Sequence, residues 1–282
     1  MCEEMAGAWT GRKARRIPEI PEKAVWSEFC MLEEFETKVQ NRSMLPVGYD
    51  AQNASVYCVD LSQTYCYLVS GFARSGKKNF LRVLIQSACY KDADICIIDS
   101  SLGQMQVYKD EEKIKYVNDE EGIFQYFSNI IPEFKRRNQM KKELLAADLE
   151  ESEIYEKMSE EKPIFIFISD LEWFVKQIYE GEHKMSGFVE NMLGKGRLHN
   201  IFFFAVASVE QCGEIDYFDA VKLFVKEKTG IHFGGNVGST RVFNFECVPY
   251  KEQSKVHKAG IGMTANAMGD HSDTIVVPLA RR

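Results

Sequence analysis

Residues 65–82 read Tyr-Cys-Tyr-Leu-Val-Ser-Gly-Phe-Ala-Arg-Ser-Gly-Lys-Lys-Asn-Phe-Leu-Arg, and their spacing limits what the whole chain can fold into. A short apolar run, Cys66 to Val69, enters Gly71-x-x-x-x-Gly76-Lys77, and an apolar-rich stretch through Phe80, Leu81, Val83, Leu84 and Ile85 leaves it. Strand, glycine loop and helix in that order make a phosphate cradle. The glycines let consecutive backbone N–H groups curl round an anion, the helix N-terminus adds positive potential, and the lysine reaches the outer phosphates. Gly71, Arg74, Ser75, Gly76, Lys77, Lys78 and Asn79 are therefore the candidate phosphate-binding set. The bland alternative is a glycine turn before an ordinary helix. One position departs from the pattern: where a working loop carries a Ser or Thr that ligates magnesium, this chain has Lys78.

The remaining sequence alternates strand-like and helix-like stretches. Ala93 to Asp99, Lys162 to Asp170 and Asn200 to Ala207 are apolar runs of the kind that form strands buried on both faces. Between them, residues 119–150 place Ile123, Phe127, Ile130, Ile131 and Phe134 on one helical face, with a kink or break predicted at Pro132. Residues 171–180 and 185–194 also read as helices. Strands alternating with helices imply an α/β fold with a parallel sheet and right-handed crossovers. Before the glycine loop, residues 25–35 read as a short helix, and 44–48 with 55–60 as a strand pair. Residues 229–282 look like shorter strands with glycine turns. The first 16 residues, ending in the basic Gly11–Arg16, read as an arm or linker.

Charge and cysteine usage exclude some functions. With 35 basic and 42 acidic residues the net charge is -7, which gives no global attraction to a polyanion, so nucleic acid is not an expected partner. The eight cysteines form no C-x-x-C pair and read as buried thiols of a reducing compartment. The five histidines show no metal spacing, and no metal site is expected. The longest apolar run, Ile201 to Ala207, is too short to span a bilayer. The basic run Lys135–Lys142 reads as a solvated helix face.

Several stretches resemble one family. Leu45-Pro-Val-Gly48, the strand-like Ser55 to Asp60 and the glycine loop look like the entry into the FtsK/SpoIIIE family of RecA-like motor ATPases. Arg136-Arg137 and Gly196-Arg197 are similar to that family's arginine landmarks, although Arg197 could equally cap its own loop. Ile17-Pro-Glu-Ile-Pro21, Gly260-Ile-Gly-Met263 and Thr274 to Pro278 resemble most closely the last ATPase domain of the EssC/EccC proteins of type VII secretion. The resemblance, over about residues 17–280, implies a RecA-like P-loop NTPase with a mainly parallel central sheet flanked by helices. It divides the chain into a linker or arm at 1–21 and an ATPase domain at 22–282, with ATP as ligand.

The chain departs from the family's catalytic pattern. An active member ends its Walker B strand in Asp-Glu, for the magnesium shell and the attacking water. Here Ser169-Asp170-Leu171-Glu172 stands there, and one acid is missing in either register. Aligned directly, Ser169 replaces the metal acid and Asp170 the base; slipped by one, Leu171 replaces the base. Asp170 and Glu172 are therefore the candidate catalytic acids, and magnesium is in doubt. The strand after Arg197 ends Ala205-Val206-Ala207, where the family usually has polar sensor residues. The resemblance thus implies a degenerate nucleotide-binding module of a secretion motor, regulatory or substrate-docking in role. An active translocase, of protein or DNA, and a nucleotide-free interaction module are the alternatives. Implied partners are other ATPase domains of the same motor and helical-hairpin secretion substrates. The implied location is cytoplasmic, at the inner face of the membrane, within a larger membrane-anchored protein.

Overall fold

The computed structural model describes residues 19–281. The basic stretch Gly11–Arg16 and the first two residues of the Ile17–Pro21 run lie outside them. After two short helices, α1 (Trp26–Phe29) and α2 (Glu33–Gln40), come β1 (Met44–Asp50), β2 (Val56–Asp60), β3 (Cys66–Gly71) and α3 (Lys77–Ala88). Then follow β4 (Asp94–Ile98), β5 (Ile114–Val117), α4 (Glu120–Ala146), α5 (Glu151–Met158), β6 (Ile164–Ile168), α6 (Leu171–Glu180) and α7 (Ser186–Lys195). The rest is β7 (Ile201–Val206), α8 (Val209–Glu214), α9 (Asp219–Phe224), β8 (Gly230–Phe233), α10 (Tyr250–Gln253), β9 (Ile261–Ala265) and β10 (Thr274–Val276).

The strands form one ten-stranded sheet in the order β2-β1-β10-β9-β8-β3-β7-β6-β4-β5. From β8 to β5 every pairing is parallel; from β8 to β2 every pairing is antiparallel. The sequence pattern dictates the parallel half. All residues of β3, β6 and β7 are buried, as strands covered by helices on both faces must be. Register puts Phe165 opposite Phe202 and Phe167 opposite Phe204, and the rings stack at 5.5 and 5.2 Å between centroids. The core is continuous from Ala24 to Val277.

Several details differ from the sequence reading. The single helix expected over 25–35 is two, broken after Phe29. Pro132 does not end α4, which runs through it from Glu120 to Ala146. Ile123, Phe127, Ile130 and Phe134 are buried on both sides of the proline, and their packing outweighs one lost backbone bond. The basic run is not simply solvated either. Arg137 is 2% exposed and donates to the carbonyls of Lys162, His199 and Asn200, while Lys141 donates to those of Lys195 and Arg197. Of the cysteines, Cys66, Cys96 and Cys212 are buried, Cys30, Cys58 and Cys89 half-buried, and Cys247 is exposed.

Candidate functional site

The glycine loop leaves the carboxyl end of β3, which β7 and β8 flank in parallel. Gly71 has φ +145°, and a Cβ there would meet the Phe233 carbonyl oxygen at 2.3 Å. Gly76, with φ +112°, would place one 2.8 Å from the Gly260 nitrogen, which itself donates to the Ser75 carbonyl at 2.9 Å. Close backbone approach therefore requires glycine at both positions. Ser75, buried, donates its hydroxyl to the Phe72 carbonyl at 2.8 Å and tightens the turn. Among the described residues, no acceptor takes the backbone N–H of residues 73–79. Seven consecutive donors at a helix start fit an anion.

Lys77 opens α3 and folds back over the loop. Its ammonium donates to the carbonyls of Gly71 (2.7 Å) and Phe72 (2.6 Å). Burial pushes its pKa down, the nearby Glu210 opposes that, and Lys78 adds to it. Arg74 at the loop tip has φ +58°, and both it and Lys78 are exposed. Asn79 faces elsewhere: its amide donates to the Pro278 carbonyl (2.8 Å) and accepts from the Ala280 N–H (2.9 Å).

The acidic side lies across β7, at the end of β6. Two strand spacings separate β6 from β3, about 10 Å. Ser169, 3% exposed, turns away from the loop: its hydroxyl donates to Asp99 at 2.6 Å and accepts from the Ser100 N–H at 3.0 Å. Asp99, wholly buried at the end of β4, also accepts from the Met105 N–H (2.7 Å) and the Tyr116 hydroxyl (2.8 Å). Asp170 caps α6 through the Trp173 N–H (3.1 Å) and accepts from Gln211 (3.4 Å). Glu172 is held below the usual carboxylate range, chiefly by its 2.6 Å bond from Lys176.

Helix α8 joins the two sides. Ser208 and Gln211 form a capping box at its start; Gln211 reaches Asp170, and Glu210 sits in the field of Lys77. Polar groups thus follow the apolar end of β7 one turn later than the sequence reading sought them. Their signal was the Ser208-x-x-Gln211 spacing. Asp99 was also missed as a site residue, since nothing local ties it to Ser169. The arginines lie at the amino end of the sheet. Arg136 pairs with Glu133 and Glu161, Arg137 clamps the entries to β6 and β7, and Arg197 donates to the Ser62 carbonyl at 2.9 Å.

The residues present fit a polyphosphate: two obligatory glycines, a run of free N–H groups and a lysine. They do not fit a divalent metal. Lys78 cannot ligate one, Ser169 is committed to Asp99, and the described residues hold no cluster of three or more His, Cys, Asp or Glu side chains suited to a metal.

This loop, on a sheet with β7 between it and the acidic strand end, defines the RecA-like P-loop ATPase fold. The chain belongs to the FtsK/SpoIIIE family, whose model matches residues 30–216. No sequence match was found among curated proteins. Among solved structures it is similar to the cytoplasmic domain of EssC (TM-score 0.77, 16% identity), covering 99% of this chain and 51% of that one. It is likewise similar to EssC ATPases 2 and 3 from Geobacillus thermodenitrificans (0.76, 17%), covering 99% and 48%. Thermomonospora curvata EccC ATPases 2 and 3, in complex with a signal sequence peptide, match at 0.69 and 14%, covering 99% and 47%. The chain spans about half the length of these structures. Among the described residues no helix is long and apolar enough to cross a membrane.

Proposed function

We propose that this chain is a degenerate, nucleotide-binding ATPase module of a type VII secretion motor, regulatory or substrate-docking rather than power-generating. One contrast carries the reading: the phosphate cradle keeps its glycines, N–H donors and Lys77, while Ser169 at the Walker B strand end is bonded to Asp99. A carboxylate there would hold the water shell of a magnesium ion; a serine hydroxyl that donates to Asp99 does not. Backbone N–H groups 73–79 and Lys77 hold the β- and γ-phosphates of ATP, and Asp170 and Glu172 are the remaining acids on the hydrolytic side. Residues 22–282 act as one ATPase domain behind an arm at 1–21, on the cytoplasmic side of the membrane. The multi-ATPase chains it resembles support sister ATPase domains as partners. The EccC structure in complex with a signal sequence peptide supports a peptide segment of a secretion substrate as the docked ligand, which we take to be the substrate's C-terminal segment.

Two measurements test this. Phosphate release from ATP is expected to match a Lys77→Ala control; turnover well above that control refutes a degenerate site. Binding of a cognate helical-hairpin substrate is expected to saturate and to vanish when its C-terminal segment is removed. Unchanged binding after that removal refutes docking.

A further inference from the structure

Opposite the phosphate cradle, the strand end that should hold a metal acid carries a buried interlock. Ser169 donates its hydroxyl hydrogen bond to Asp99, and Asp99 accepts from three donors, Ser169, Met105 and Tyr116. A buried carboxylate needs such compensation, and here neutral hydroxyl and backbone N–H donors supply it. In effect an acid stands one strand further out, at the end of β4, and holds the hydroxyl on β6 away from the cradle. On the cradle side the hydroxyl ligand is replaced by Lys78, on the first turn of α3 and close enough to help depress the basicity of Lys77. With Ser169 in the metal acid's place, both protein ligands that fix the ion in an active P-loop are replaced, and cationic charge has been added.

We infer that this chain binds a nucleoside triphosphate without a divalent cation, its phosphates neutralised by Lys77, Lys78 and the N–H groups of residues 73–79 while the Ser169–Asp99 interlock closes the metal seat. The inference rests on the nucleotide-binding reading above and specifies how that site handles charge. An ammonium at position 78 reproduces part of the ion's neutralisation, and a divalent cation beside it is repelled. Magnesium already bound to ATP in solution becomes a competitor for the phosphate oxygens that Lys77 and Lys78 use.

The test is a titration of a fluorescent ATP analogue into the full chain, in magnesium and again in EDTA, with manganese as a paramagnetic probe. Affinity is expected to change less than about threefold between the two buffers or to rise in EDTA, and manganese is expected to produce no enhanced water relaxation with protein and nucleotide together. Lys78→Thr is expected to weaken binding in EDTA about tenfold, which is about 1.4 kcal/mol. Lys78→Thr combined with Ser169→Asp and Asp99→Ser, the acid returned to β6, is expected to bind more tightly in magnesium than in EDTA. Should the triple variant fail to fold, as judged by circular dichroism, the single Lys78→Thr variant still decides the charge argument. A tenfold or larger loss of wild-type affinity in EDTA overturns this inference alone. Absence of binding in both buffers overturns the nucleotide reading and this inference with it. Equal affinity of Lys78→Thr and the wild type in EDTA overturns the role of Lys78.

Discussion

Arg136 and Arg137 are neighbours in sequence, and the structure predicts that replacing them has very different costs. Arg137 is 2% exposed and donates to Glu133 (2.6 Å) and to the carbonyls of His199 (2.9 Å), Asn200 (3.1 Å) and Lys162 (2.7 Å). In Arg137→Ala, Glu133 keeps Arg136, and the Asn200 carbonyl keeps the Ile164 N–H. The Lys162 and His199 carbonyls have no other donor among the described residues. Each buried orphan costs about 1–3 kcal/mol, and the cavity left by the side chain adds to this, so the loss is about 3–5 kcal/mol. At roughly 2.1 cal/mol/K per residue of unfolding entropy, that lowers Tm by about 5–8 °C. Arg136, with its side chain 51% exposed, pairs with Glu133 and Glu161 at the surface. Arg136→Ala is expected to cost under about 1 kcal/mol. Urea denaturation of both variants measures the difference, and nucleotide affinity per folded molecule is expected to be unchanged in each, because the clamp lies at the opposite end of the sheet from the glycine loop. Equal costs, or an Arg137→Ala cost under about 1 kcal/mol, refute the reasoning.

Two further outcomes are expected. Burial, assisted by Lys141 beside His199 and Lys77 beside His232, lowers both histidines to about 4, so the folded chain keeps them neutral while the unfolded chain takes up protons below about 6.5. Stability should therefore fall as pH drops from about 6.5 towards 4, by about 2 kcal/mol per histidine at pH 5; urea midpoints at pH 7 and 5 that coincide would contradict this, and His199→Gln should remove about half the drop. Asn79→Ala removes the bonds to Pro278 and Ala280, costs about 1–2 kcal/mol, and should speed amide exchange at Ala280; unaltered exchange there would contradict it.

What the sequence disclosed follows from how local each signal is. The glycine loop was legible because seven residues carry its whole geometry. The strands β4, β6 and β7 were legible because burial on both faces forces continuous apolar runs. Strand β5, Ile114-Lys-Tyr-Val117, was not, since an edge strand needs only its two end residues buried. Helix α5 hides in an acidic stretch with only Ile154 and Met158 buried. The pairing of Asp99 with Ser169 was invisible for a different reason: 70 residues separate them, and only the order β6-β4 brings them together. The same holds for Arg137, whose role depends on where β6 and β7 begin.

Residues 278–281 lie along α3, held by Asn79 and Gln86, while Leu279 exchanges backbone bonds with Ala24 and Trp26. Asn79 is two residues past Lys77, so a tug on Pro278 passes through a single side-chain amide into the first turn of α3. Because Val25 and Leu279 run parallel, tension on either segment shears their contact instead of peeling it open. Residues 24–26 and 278–280 thus share one anchor, and Asn79 links it to the first turn of the helix that follows the phosphate loop.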